Sequence, residues 1–505
     1  MSGLQEEKEK GRGIREIRSL DSSTSIMQGV HTSTDMAYTN PVKVLEHCYI
    51  SPPPGSLSNK NLPLTFFDLI WLPPYPLVKV LFFYEYSYSM HHFKNTIFPD
   101  LKHSLSLTLQ HFYPLAGHLV WPQKLSEPEI CYVDGDSVSL TLAESDGDFQ
   151  HLSGNHERDV NHFHCLVPKL TLLSMTDPDF SIALLALQVT VFPNSGICIG
   201  LTASHVALDG RTLVHFMKSW ASISRTGVAS LSLDSLPFHD RNVINGRKEL
   251  KTIYLHEIKK LRETIEQKSS KVSDNHIVQS DIVQATFVVN QNDVERLKQW
   301  ILAMRKKDED QTSITASHLS TYTIICAHTW VCSIKSRSMD VSAAKSLDME
   351  IFVVVMDCRI RDRLDPPIPE TYFGNCLTGC VATVKRSDLM GEYGISIAAE
   401  AITKAINKRL DDGVLKGAEN LLSEMTATIA KQPFAVAGSP RYRIYDTDFG
   451  WGRPKKYESL SVGGRNISLY DCKNGEGSLE VGVAFPKLQM DYFSSLFYRF
   501  RSDAG

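Results

Sequence analysis

The sequence predicts an α/β protein in which each of two halves pairs a mixed β-sheet with flanking helices. Strand-like alternation and helix-like periodicity take turns along both halves. At 505 residues the chain is too long for one ordinary hydrophobic core. Residues 226–250, GVASLSLDSLPFHDRNVINGRKELK, are polar, broken by glycine and proline, and weakly periodic, which suits a connection between two halves. The expected divisions are an N-terminal extension over 1–35, a first domain over 36–225, a crossover linker over 226–250 and a second domain over 251–505.

In chain order, residues 1–35 are charged, Ser/Thr-rich and poor in large apolar groups, so a disordered extension is expected there. The stretch has no apolar core for a secretory signal, and its glutamates argue against a transit peptide. VKVLEH (42–47) alternates as a strand does, and PPPGS (52–56) closes it. LPLTFFDLIWLPPYP (62–76) is apolar and aromatic, and is expected to be buried. Leu101, Leu105, Leu109, Phe112 and Leu115 recur at helical spacing up to a turn at Pro114–Gly117. LQVTVF (187–192) and ICIGLTAS (197–204) read as a hairpin about Pro-Asn-Ser-Gly. Leu213, Phe216, Met217, Trp220 and Ile223 then mark an amphipathic helix, with Asp209 as its cap. In the second half, TFVV followed by a helix from Asp293, a buried helix over 317–334, and EIFVVVMDCRI as a central strand continue the alternation.

Composition narrows the function classes. A formal charge of −4 and the lack of a basic stripe with interleaved aromatics predict no nucleic-acid partner. Apolar runs such as Ile182–Leu187 are too short to cross a bilayer, so no membrane partner is expected. Ten scattered cysteines without a CxxC are the usage of a reducing compartment, which predicts a cytoplasmic protein. The eighteen histidines show no HExxH and no zinc spacing, so no metal is expected.

The stretch TASHVALDGRT (202–212) carries the first candidate chemistry. His205 and Asp209 sit where a strand hands over to a helix, and Gly210 leaves out side-chain bulk beside them. A neutral imidazole there can take a proton from a hydroxyl. A core histidine at a strand end is the commoner meaning of an isolated H-x-x-x-D. Asp209 could orient the imidazole, but a helix cap or an ion pair with an arginine is the stronger reading. The second stretch, IYDTDFGWGRPKKYE (444–458), folds Asp448, Phe449, Gly450, Trp451 and Gly452 into a tight turn. Asp-Phe-Gly is also a kinase motif, yet neither a glycine-rich phosphate loop nor H-R-D-L accompanies it.

Together, His205-Val-Ala-Leu-Asp209-Gly210 and Asp448-Phe-Gly-Trp-Gly452, in this order and spacing, resemble the plant BAHD acyltransferase family. Tyr372-Phe373-Gly374-Asn375-Cys376 is similar to the signature of the branch that acylates anthocyanins and other phenolic glucosides. LPLTFFDLIWL, FYPLAGHL and AGSPRYRIYDTDFGWGRPKK support the resemblance, which runs from about Met36 to the C-terminus. Ser204 stands where many members carry a further histidine.

The resemblance implies a two-domain chloramphenicol acetyltransferase-like fold with an active-site channel between the domains. It implies a monomer that uses acyl-CoA as co-substrate and binds no permanent cofactor. A hydroxycinnamoyl (coumaroyl) or malonyl group would move to a sugar hydroxyl of an anthocyanin, flavonoid or other phenolic glucoside. His205 would be the base, and Asp209 a structural support held by an arginine. Asn375 or Trp451 would be candidate oxyanion donors, with packing as their alternative role. Ser320 and Thr321 would lie near coenzyme A. Malonyl-preferring members often carry arginine eight residues after the histidine. Leu213 stands there, with Arg211 nearby on what is expected to be a solvated helical turn, and this leans the expectation toward a hydroxycinnamoyl donor. The competing reading is an idle relative that only binds phenolic ligands.

Overall fold

A computed structural model describes residues 42–72, 77–122, 127–174, 179–228, 231–244, 248–269, 281–305, 319–337, 349–360, 363–460, 465–473, 475 and 477–501. The expected extension over 1–35 lies outside the described residues. The first sheet has six strands in the order Lys43–Ile50, Val138–Glu144, Leu185–Phe192, Gly196–Ala203, Val78–Glu85 and Lys456–Ser459. Leu185–Phe192 runs parallel to Val138–Glu144 and antiparallel to its hairpin partner, so the sheet is mixed. The second sheet has seven strands in the order Leu377–Lys385, Met349–Asp357, Phe434–Ala437, Asn466–Asp471, Leu479–Pro486, Ile282–Val289 and Arg158–Asp159. It too is mixed, because Phe434–Ala437 pairs in parallel with both of its neighbours. A third sheet of five short strands lies within the first half.

Each large sheet contains one strand from the other half of the chain: Lys456–Ser459 completes the first sheet and Arg158–Asp159 the second. Lys456–Ser459 is buried throughout although its sequence is KYES. Its charges are matched. Arg158 meets Glu458 at 2.5 Å, Gln284 bonds the same carboxylate, and Lys456 meets Glu480 at 2.7 Å. Removing one partner of such a buried pair leaves an uncompensated charge, so these contacts fix the two exchanged strands in register.

Hydrophobic packing follows the predicted periodicities. Helix Gly210–Thr226 places Leu213, Phe216, Met217 and Trp220 in the core of the first sheet, against helix Phe98–His111. Asp209 caps it by accepting from the Thr212 amide, and Gly227 ends it in the left-handed conformation. Helix Thr321–Arg337 is buried on nearly every side, between the second sheet and helices Gly394–Asp412 and Lys487–Phe497. The helix expected from Asp293 begins two residues earlier, at Gln291, with Asp293 instead bonding back to Asn290. Helix Lys248–Ser269 already begins inside the 226–250 stretch, which also holds two 3₁₀ turns, Leu233–Ser235 and Arg241–Val243, and a bridge from Phe238 to Tyr372.

Two histidines, His328 buried and His239 largely so, make stability fall in acid. Burial holds the rings of His239 and His328 down to about 4, and each bonds a main-chain carbonyl, of His111 and Phe497 respectively. Below the ordinary histidine value the unfolded chain binds protons that the folded chain refuses. Stability is therefore full above about pH 6.5 and is lost as pH falls toward about 4, on the order of 3 kcal/mol for each ring. Urea midpoints measured between pH 7.5 and 4.5 are expected to fall across this window, with a smaller fall in His328→Gln than in the parent.

Candidate active site

A cavity of about 2130 Å³ opens between the two large sheets and takes its lining from both halves of the chain. Ligand pockets commonly hold about 300–1,000 Å³, so there is room for two substrates at once. His205, Gly210, Leu213 and Val214 line it from the first half, with Ile70, Trp71, Val78 and Val80. Val353–Asp357, Leu377–Gly379 and Gly438–Arg443 line it from the second half.

His205 lies just past the strand Gly196–Ala203, after Ser204, in the turn before helix Gly210–Thr226. The strand's two buried faces anchor this turn, and the half-buried imidazole reaches the cavity from it. Its Nδ1 lies 3.1 Å from Oδ1 of Asn375. The neighbours of Asn375 settle which way its amide faces. Nδ2 stands 3.0 Å from Oδ1 of Asp68, 2.9 Å from the His205 carbonyl and 3.3 Å from that of Val206. An oxygen in that position would face three acceptors, so the nitrogen belongs there and the amide oxygen meets His205. His205 must then donate from Nδ1, which leaves Nε2 as the bare, basic nitrogen. Burial holds the imidazole below the ordinary histidine value, with Asn375, Asp209 and Asp68 opposing the shift. At cellular pH the ring is neutral, as a base must be.

Asp68 fixes Asn375. Its Oδ1 accepts from both the main-chain and side-chain nitrogens of Asn375. Its Oδ2 accepts from the amide and hydroxyl of Thr65, closing a capping box on the short helix Phe66–Leu69. Arg241 lies 3.6 Å away and bonds the Tyr372 hydroxyl. Gly374 is required beside it: φ is +126°, and a Cβ would collide with that guanidinium.

Asp209 faces away from the imidazole. One oxygen caps the helix and the other meets Arg359 at 2.8 Å and the Cys376 amide at 3.2 Å. Arg359 also bonds Asp357 and the carbonyls of Tyr372 and Gly374, tying the HVALDG turn to the Tyr372–Cys376 segment. Phe373 packs against Phe112 and His239. Burial pushes the Cys376 thiol well above its usual value, so it carries no thiolate at cellular pH. Arg211 departs from the expected solvated position. It bonds Asp357 at 2.6 Å and Glu370 at 3.0 Å and is occupied by both.

The two oxyanion candidates stand differently from what the resemblance implies. Both amide protons of Asn375 already have acceptors. Trp451 lies outside the cavity lining, packed with Phe449, Tyr84 and Tyr86. Around it, Asp448 accepts from the amides of Gly450 and Gly452, both at positive φ, so the DFGWG segment is a self-bonded turn. Ser320 and Thr321 do line the cavity, at the start of helix Thr321–Arg337, where the Ser320 hydroxyl accepts from the Thr323 amide. Asp68, Trp71, Arg241 and Arg359 were not singled out from the sequence. The signal available for the first two was LTFFDLIW, an acid embedded in an aromatic run. Among the described residues no group of three or more His, Cys, Asp or Glu side chains is placed to hold a metal ion.

Residues 41–500 match the Transferase family. A malonyl-coenzyme A:anthocyanin 3-O-glucoside-6''-O-malonyltransferase from Dahlia pinnata is 39% identical over 467 residues, spanning 90% of this chain and 96% of that protein. Coumaroyl-CoA:anthocyanidin 3-O-glucoside-6''-O-coumaroyltransferase 1 from Arabidopsis thaliana is 36% identical over 474 residues, spanning 91% of this chain and 98% of that protein. The crystal structure of vinorine synthase shares the fold, with a TM-score of 0.62 at 19% identity over 90% of this chain and 98% of its own. With its mixed sheets and flanking helices in a chloramphenicol acetyltransferase-like arrangement, the chain belongs to the Transferase family of BAHD acyltransferases.

Proposed function

We propose that this protein is an acyl-CoA-dependent O-acyltransferase that acylates a sugar hydroxyl of an anthocyanin or other phenolic glucoside, with His205 as general base. The observation that carries the reading is the fixed tautomer of His205, whose bare Nε2 belongs to a ring lining a two-substrate cavity. Nε2 takes the proton of the sugar hydroxyl as its oxygen attacks the thioester carbonyl. The tetrahedral intermediate collapses with cleavage of the C–S bond, and the imidazolium returns the proton to the departing coenzyme A thiolate. The positive end of helix Thr321–Arg337, opening on the cavity at Ser320 and Thr321, suits the phosphates of coenzyme A. Asp209, through Arg359, and the Asp448–Gly452 turn support the site structurally. In this reading the chain acts as a monomer of the cytoplasm in two domains, and none of the ten cysteines is joined in a disulfide. Among the described residues no helix is long and apolar enough to cross a membrane.

For the donor, Ile70, Trp71, Val78, Val80, Leu213 and Val214 give the cavity an apolar wall on the His205 side, and Arg211 is engaged elsewhere. This favours a flat aromatic acyl group such as coumaroyl. Malonyl transfer is the second reading, and one observation favours it. Arg441 lines the cavity, and its guanidinium has no partner among the described residues, which leaves it open to a carboxylate.

Mass spectrometry of products from a panel of acyl-CoA thioesters and glycosylated flavonoids tests both levels. A coumaroyl gain on a glucoside, unaffected by Arg441→Ala, is the expected result. A malonyl gain whose KM rises about tenfold or more in Arg441→Ala would establish the second reading. Consumption of no thioester would contradict the assignment.

A further inference from the structure

The imidazole of His205 has a wall that none of the three signature motifs supplies. Trp71 lies flat against it, with ring centroids 3.7 Å apart and planes 12° from parallel, and both residues line the cavity. We propose that Trp71 is a positioning residue for the general base, its indole face holding the imidazole in place and stabilising the imidazolium that forms when the acceptor's proton is taken. The proposal rests on the reading of His205 given above.

Three features support it. Nε1 of Trp71 is buried without a hydrogen-bond partner among the described residues. An orphaned donor is unfavourable, so the ring is not held there by its N–H, and its face is what the site uses. Indole is also the aromatic face that attracts a cation most strongly. His205 is cationic only between attack and thiolate protonation, so the attraction acts when charge develops and not in the resting site. Finally, Trp71 sits three residues after Asp68, and its amide donates to the Asp68 carbonyl at 2.9 Å. One capped turn, Thr65–Trp71, thereby sets two coordinates of the imidazole: Asp68 fixes the Nδ1 edge through Asn375, and Trp71 covers a face.

Among the described residues, the charges that bear most on the ring are two carboxylates, each beside an arginine. Asp209 at the head of helix Gly210–Thr226 is paired with Arg359, and Asp68 lies 3.6 Å from Arg241. Burial is the largest influence on the ring and lowers its proton affinity, while the two carboxylates and Asn375 oppose it. The indole face adds to the opposing side. Its removal, with the site kept dry, moves the titration further down.

The test compares Trp71→Leu, which keeps apolar bulk without a π face, with Trp71→Phe, which keeps a π face. Trp71→Met serves as a second non-aromatic variant if the leucine variant fails to fold. The His205 titration is read by NMR on the full-length protein with labelled histidine, without turnover, and the acid limb of kcat/KM is read separately. Trp71→Leu is expected to lower kcat about tenfold with KM for acyl-CoA changed less than about twofold. It is expected to move both midpoints down by about 0.5–1 pH unit, and Trp71→Phe to recover most of each loss. An unmoved NMR midpoint in Trp71→Leu, or a Trp71→Phe as impaired as Trp71→Leu, overturns the proposal alone. A moved NMR midpoint with an unmoved acid limb overturns the base reading of His205, and the proposal with it.

Discussion

Replacing His205 with alanine is expected to lower turnover by about 10²–10⁴, the usual contribution of a general base, and to leave the fold intact. The residue is partly exposed, and its imidazole bonds the Oδ1 of Asn375 and stacks on Trp71. Its loss leaves Asn375 still held by Asp68 and two main-chain carbonyls. Circular dichroism and a urea midpoint close to the parent's, beside a collapsed kcat, are the expected pair of results. An idle phenolic binder would show no catalytic change. Glutamine at the same position offers no base and is expected to behave like alanine.

The second large effect is structural. Arg359→Ala removes a fully buried guanidinium that satisfies two carboxylates, Asp209 and Asp357, and two carbonyls. Asp357 keeps Arg211, but Asp209 is left as a buried carboxylate without its arginine, which typically costs about 3–5 kcal/mol, so soluble yield and the urea midpoint are both expected to fall sharply. Asp209→Asn separates support from catalysis. Its amide oxygen can still accept from the Thr212 amide, so the cap survives while the ion pair is weakened. A kcat within about tenfold of the parent is expected, alongside reduced stability. An aspartate that oriented the imidazole directly would instead set the wrong tautomer and lose about 10⁴. Here that orienting contact is made by Asn375, 170 residues away in sequence.

What could be read from the sequence was local. The switch from period two to period 3.6 across HVALDG placed His205 at a strand–helix junction, and the Asp209 cap followed from a residue type and its position. The partners could not be read the same way. Asp68 reaches Asn375 across 307 residues, and Arg359 reaches Asp209 across 150. No periodicity encodes such pairings. The exchanged strand Lys456–Ser459 was hidden for a related reason. KYES has the composition of a surface, and it is buried only because Arg158 and Glu480 meet its charges. Arg211 was misplaced because a polar residue in a first helical turn ordinarily faces water, whereas Asp357 and Glu370 lie on elements far along the chain.

The central claim is that His205 activates the acceptor for direct attack and that no acyl group resides on the protein. The most direct measurement is the intact mass of active enzyme quenched in acid during steady turnover with its thioester and glucoside. The unmodified mass is predicted. A gain equal to the acyl group, carried on Cys376 or any other side chain at a level that tracks turnover, would contradict it.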